Sequence, residues 1–407
     1  MRPAATPSLP TRRSRRPTPA PTTRWNEPVS VTRAEAVIDL AAISGNVATI
    51  RRHAQGSPVM AVVKADGYGH GLVESARAAR AGAAEWLGVA TLDEALALRR
   101  AGDREPILSW LTVPGEDYAA AIEADIDVTA YSPEDLDEIM AAARQLGRAA
   151  RLQLKADTGL GRGGATADSW PGLVEAARRA ELEGRVRVTG VWSHLACGDE
   201  PEHPSVKLQV DEFARAVDAA DAAGLTPEVR HLANSPTTFT TPEAWWDLVR
   251  PGLAVYGLSP IPDRATSADL GLVPAMTLQT RLAMVKQVPA GAGVSYGHTY
   301  VTEQPTTLGL VPVGYADGIP RHASGVGPVL VAGRRRTVSG RVCMDQFVVD
   351  LHGDAAAAGD PVVLFGTGRS GEPTAQDWAA AAGTISYEIV SRIGGRVTRR
   401  YVGGNPQ

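Results

Sequence analysis

From about residue 35 to 260, short apolar runs alternate with amphipathic, alanine-rich stretches. The apolar runs fall at 59–64 (VMAVVK), 86–90, 106–110, 127–131, 152–157 (LQLKAD), 187–193, 229–233 and 248–257. Their short length and bounded edges predict strands. The stretches between them, at 71–81, 91–101, 115–124, 132–146, 168–182, 205–223 and 235–246, read as helices. Two of these helices open with capping signals, Thr91 with Glu94 and Ser132 with Asp135. Strands alternating with helices in this way predict an α/β chain built as a (β/α)8 TIM-like barrel, with a doubly wound sheet as the competing arrangement. The run at 36–40 (AVIDL) adds a strand that the barrel cannot use, and it is expected to join the C-terminal sheet.

Past residue 270 the pattern changes. Runs at 276–288, 307–313, 329–332, 346–351 and 361–365 are β-rich and divided by Gly and Pro turns, with one helix near 374–382. The expected organisation is a tail at 1–30, a barrel at 31–265 and a mainly β domain at 266–407. No apolar stretch reaches the roughly 18–20 residues that a bilayer crossing requires.

Charge separates the tail from the body. Residues 1–30 carry six Arg, one Glu and seven Pro without hydrophobic periodicity, which predicts a disordered segment. Its paired arginines, Arg12-Arg13 and Arg15-Arg16, are not followed by the apolar core of an export signal. The remaining chain holds 35 basic against 44 acidic residues, a balance that does not favour nucleic acid as a partner. The two cysteines, Cys197 and Cys343, have no metal-ligand spacing, so no metal site is expected. Two isolated thiols also fit a reducing compartment, and the expected location is cytoplasmic.

The chain has only four lysines: Lys64, Lys155, Lys207 and Lys286. Where arginine supplies nearly all positive charge, a retained lysine can mark a primary amine with a chemical task. Lys64 closes the first barrel strand and Lys155 the fifth. His194 follows the sixth, Asn234 and Ser235 the seventh, and Arg250 lies in the eighth. That rim of a barrel is where active sites are built. Desolvation at a strand end lowers a lysine pKa and frees a neutral amine for Schiff-base chemistry. A snorkelling lysine is the structural alternative for Lys64, an ion pair for Arg250 and a hydrogen-bonded core imidazole for His194.

The motifs VVKADGYGHG (62–71), LKADTGLGR (154–162), VWSHLA (191–196), HLANSP (231–236), VRPGLAVYGLSP (249–260), VSYGHTY (294–300), VGYADG (313–318), GRVCMDQ (340–346) and ISYE (385–388) follow one another in order. Together the chain resembles the pyridoxal-phosphate-dependent alanine racemase family over nearly everything but the tail. The resemblance implies a homodimer with shared active sites, no membrane or nucleic-acid partner, and interconversion of L- and D-alanine through an external aldimine. The product would supply peptidoglycan. It further implies that Lys64 carries pyridoxal 5'-phosphate and acts as one base, while Tyr296 from the partner subunit is the other. Arg250 would face the pyridine nitrogen and His194 the ring. Tyr68, Asn234, Ser235, Gly252, Leu253 and Tyr387 would surround the phosphate. Arg162 and the backbone at Met344 would meet the substrate carboxylate, with Tyr315 and Tyr387 narrowing the entrance. Lys155 matches a lysine that is carbamylated in many relatives. Broader amino-acid racemases, barrel-type decarboxylases and non-enzymatic pyridoxal-phosphate-binding proteins are the rival readings.

Overall fold

The computed structural model describes residues 32–404, so the tail expected at 1–30 lies outside the described residues. Strand β1 (Ala34–Asp39) comes first and runs directly into helix α1 (Leu40–His53), whose first turn is capped by the Asp39 carboxylate accepting from the Ala41 and Ala42 amides. Seven parallel strands follow: β2 (Met60–Val62), β3 (Trp86–Val89), β4 (Ile107–Ser109), β5 (Asp127–Ala130), β6 (Ala150–Lys155), β7 (Val186–Trp192) and β8 (Val229–His231). Each pairs with the next, and helices fill the connections.

The eighth position of the barrel is taken by an extended segment that bonds on both sides. The Asp247 and Arg250 amides donate to Arg230 and Ala233, while the Met60 and Val62 amides donate to Val249 and Pro251. The strand expected at 248–257 is therefore cut short. Pro251 has no amide to extend a ladder, and Leu253–Tyr256 turns into a 3-10 helix. The helix expected at 235–246 likewise ends at Thr240 and resumes as a separate turn at Pro242–Ala244.

β1 is an interior strand of a six-stranded sheet, next to its edge. Its neighbours are antiparallel β9 (Met276–Arg281) and the parallel strand Thr398–Val402, and the order continues through Pro361–Phe365, Pro328–Val331 and Arg334–Thr337. A smaller sheet holds Met284–Val288, Thr306–Val311 and Phe347–Asp350. Ala34, Ala36 and Ile38 point to one face of β1 and are buried, the period-two pattern of a sheet with one covered face. No helix of the described residues is long and apolar enough to cross a membrane.

Candidate active site

Lys64 stands just beyond β2, where the chain enters a tight turn, Lys64–Tyr68. Ala65, Asp66 and Gly67 there take φ values of 53°, 54° and 62°. This left-handed backbone is strained for the first two, and the surroundings hold it. The Glu94 carboxylate accepts from the Ala65 amide at 2.7 Å, Asp66 accepts from the Leu72 amide at 2.8 Å, and Arg399 pairs with Asp66 at 2.7 Å. Glu94 is itself fixed as the reciprocal half of the Thr91 capping box, so a helix start in the next connection shapes the turn that presents Lys64.

The strand ends open into a cavity of about 640 Å³. Lys64, Lys155, Arg162 and Arg250 all line it, and no carboxylate is among the lining residues. Burial lowers the Lys64 pKa, the Arg162 charge lowers it further, and Glu94 partly offsets both. Lys155 is pulled down to about 8, by burial first and then by Arg162 and Arg250. Its ammonium rests against Trp192, 4.7 Å from the ring centre, and Tyr131, at 5.5 Å. His194 is held well below its ordinary value by burial and by the surrounding cations, Arg250 foremost, and is therefore neutral. Four cationic groups without a lining anion make a site built for an anionic ligand.

Arg250 is buried beside Trp192, and burial brings its pKa down to about 9. One terminal nitrogen donates to His231 Nδ1 at 2.9 Å, and the other donates to the Ser193 carbonyl at 2.7 Å. Among the described residues its Nε–H has no acceptor, so this donor is left for whatever occupies the cavity. At the opposite side, Asn234 caps the short helix Ser235–Thr240, and the Ser235 hydroxyl accepts from the Gly252 amide at 2.8 Å. A Cβ on Gly252 would lie 2.2 Å from the Tyr68 hydroxyl, so only glycine lets that hydroxyl meet the backbone. Tyr68 stacks on Tyr256 at 5.0 Å, and burial raises the pKa of Tyr387 to about 12. Both Tyr68 and Tyr387 remain neutral donors, since burial raises Tyr68 as well.

Two family descriptions match the chain: "Alanine racemase, N-terminal domain" over residues 38–260 and "Alanine racemase, C-terminal domain" over 275–401. The chain belongs to the alanine racemase family. It is 59% identical to an alanine racemase of Frankia casuarinae over 367 residues, covering 90% of this chain and 96% of that one. With an alanine racemase of Streptomyces coelicolor it shares 58% over 386 residues, covering 94% and 99%. The crystal structure of alanine racemase from Streptomyces lavendulae superposes with a TM-score of 0.91 at 60% identity, covering 92% of this chain and 98% of that one.

The alanine racemase family depends on pyridoxal phosphate. The residues present fit that group: an amine of lowered pKa, a free guanidinium donor, and hydroxyl and backbone donors gathered at one side of a cationic cavity. Lys64, Tyr68, Lys155, Arg162, His194, Asn234, Ser235, Arg250, Gly252 and Tyr387 all line it. Leu253 is buried behind the lining, at the start of the 3-10 turn. Tyr296, Tyr315 and Met344 do not reach the cavity of their own chain; they are exposed, Tyr296 by 70%. Their loops are tied through one segment: the Ser295 hydroxyl donates to the Arg341 carbonyl, and the Tyr315 and Ala316 amides donate to the Cys343 and Met344 carbonyls.

Sequence reasoning missed the aromatic wall of Trp110, Tyr131 and Trp192, and the polar groups behind Arg250: His231, Gln153 and Asp127. One signal was readable. Gln153 precedes Lys155 by two positions in an apolar strand, so both share the face that looks into the barrel.

Proposed function

We propose that this chain interconverts L-alanine and D-alanine, with pyridoxal phosphate held in the barrel cavity. The observation that carries the reading is an amine of lowered pKa, Lys64, sharing with two arginines, Arg162 and Arg250, a cavity whose lining has no carboxylate side chain to compete with an anionic ligand. Lys64 would hold the cofactor through Nζ. Tyr68, Asn234, Ser235, Gly252, Leu253 and Tyr387 would hold its phosphate, His194 would lie against the ring and Arg250 would face the ring nitrogen. When bound, pyridoxal phosphate supplies an electron sink for the pair left when alanine loses its α proton.

The chain's own groups do the rest. Burial supports a neutral Lys64 amine, the form that accepts a proton at Nζ. Arg250 would donate a hydrogen bond but not a proton to a ring nitrogen facing it, which would temper the electron withdrawal the cofactor supplies. That limit suits return of the proton to the α carbon. Arg162 would pair with the alanine carboxylate, joined by the backbone at Met344, while Tyr315 and Tyr387 leave room for a methyl group. Lys155, with its pKa near 8, has the neutral amine population that reacts with carbon dioxide, which supports a carbamate placed to orient Arg162.

Tyr296 would move the proton on the opposite face. Because it is exposed and outside its own chain's cavity, a second copy has to bring it, which supports a homodimer of barrels (31–265) and β domains (266–407) with shared sites. The D-alanine would serve peptidoglycan synthesis in the cytoplasm. Racemisation assayed over a panel of amino acids tests the reading. Alanine is expected to turn over fastest, and cofactor-loaded protein that racemises no amino acid would sink it.

A further inference from the structure

Behind Arg250 a single file of hydrogen bonds crosses the barrel interior. Arg250 Nη1 donates to His231 Nδ1 at 2.9 Å. On its other side His231 Nε2 meets Gln153 Oε1 at 2.7 Å, and Gln153 Nε2 donates to Asp127 Oδ2 at 3.1 Å. Asp127, Gln153 and His231 are fully buried, at 0% exposure. Asp127 opens β5, at the barrel end away from the cavity. There its carboxylate also accepts from Thr189 at 2.6 Å and from Arg151 Nε at 2.5 Å. Arg151 continues to Glu228, which pairs with Arg187 at the surface.

The polarity of this file is dictated from both ends. A guanidinium only donates, so His231 Nδ1 must be the bare nitrogen and Nε2 must carry the hydrogen. Burial raises the Asp127 pKa and the Arg151 pair opposes that rise. As the carboxylate paired with Arg151, Asp127 only accepts, so the Gln153 amide must turn its NH2 toward Asp127 and its oxygen toward His231. The two demands agree at the middle bond. Gly190 shows that the space is reserved: a Cβ there would lie 2.6 Å from the Gln153 amide carbon and oxygen.

We propose that Asp127 and Gln153 are positioning residues for the reaction: they hold the Nε2–H side of His231 and through the ring the orientation in which Arg250 presents its free donor to the cavity. The inference rests on the reading of Arg250 as the partner of the cofactor ring. Asp127→Asn lets the new amide donate to Gln153, which then turns its own NH2 toward His231. The imidazole must move its hydrogen to Nδ1, where it confronts Arg250. Adding Gln153→Glu restores the order, because the amide introduced at position 127 then donates to the carboxylate introduced at position 153, and that carboxylate accepts from His231 Nε2. Gln153→Leu breaks the file while Asp127 keeps Arg151 and Thr189.

The test reads the ring 15N shifts of His231, assigned by their loss in His231→Gln, together with alanine kinetics. Wild type should show a bare Nδ1 and a protonated Nε2. Asp127→Asn should lose that pattern, while Gln153→Leu should keep Nδ1 bare opposite Arg250 and leave Nε2–H without its acceptor. Both should lower kcat by about 10- to 100-fold, with a much smaller change in KM, the scale typical of lost orienting partners. The double variant should regain the wild-type pattern and most of the rate. A wild-type kcat in Gln153→Leu would overturn the proposal whether or not Asp127→Asn folds, as would a double variant no better than Asp127→Asn. The shifts are read without cofactor, so a chain that fails to racemise alanine sinks the functional reading separately.

Discussion

Lys155 keeps its amine among aromatic rings and other cations, and that choice is a debt the fold carries at neutral pH. Its pKa falls from 10.5 unfolded to about 8 folded. Between those values the unfolded chain binds more proton, so stability rises with pH across the window and the penalty is complete below about pH 8. Lys155→Met is therefore expected to stabilise the cofactor-free protein at pH 7 by on the order of 2 kcal/mol. The gain should fade above pH 10, as thermal melts in carbon-dioxide-free buffer would show. At Lys64 the expected outcome is chemical. Borohydride should fix the cofactor onto the Lys64 peptide, and label on the Lys155 peptide would reverse the assignment. Single residues of this kind were legible because lysine is scarce in the chain and both amines end apolar strands. Asp127 and His231 were not, because a strand pattern gives the face of a side chain but not the partner it meets across the barrel.

At the scale of elements, capping links stability to the site. Thr91→Ala removes one cap and should lower stability by about 1 kcal/mol with little change in rate. Glu94→Ala removes the acceptor of the Ala65, Ala90 and Thr91 amides together. It should cost about 2–3 kcal/mol and lower kcat, because the left-handed turn that presents Lys64 loses its anchor. Urea unfolding beside initial rates separates the two variants. The barrel was legible because its strands and helices differ in period and because Thr91 and Ser132 mark helix starts. Residues 334–337 (RRRT) and 398–402 (TRRYV) were not read as strands. They are arginine-rich edges of the sheet, and hydrogen bonding to a neighbour defines them more than any apolar alternation. The short helix Ser386–Ser391, which carries Tyr387, is too brief for a helical period to register.

For the whole molecule, the exposure of Tyr296 outside the lining of its own cavity predicts complementation. Lys64→Ala and Tyr296→Ala chains, each nearly inactive, should regain roughly a quarter of wild-type activity when refolded together, since random pairing gives half mixed dimers with one complete site each. No recovery in mixed dimers confirmed by mass would place both groups in one chain. β1 carries a different consequence, one of timing. Its partners in the sheet are β9 and the strand Thr398–Val402, the last strand of the described chain. In a nascent chain β1 can thus be paired on one side only once residues 276–281 are made, and on the other only once residues 398–402 are. Loop closure over nearly the full length makes that docking slow. Until then one edge of β1 stays unpaired, and a chain stalled before Thr398 would offer that edge to any other unfinished copy.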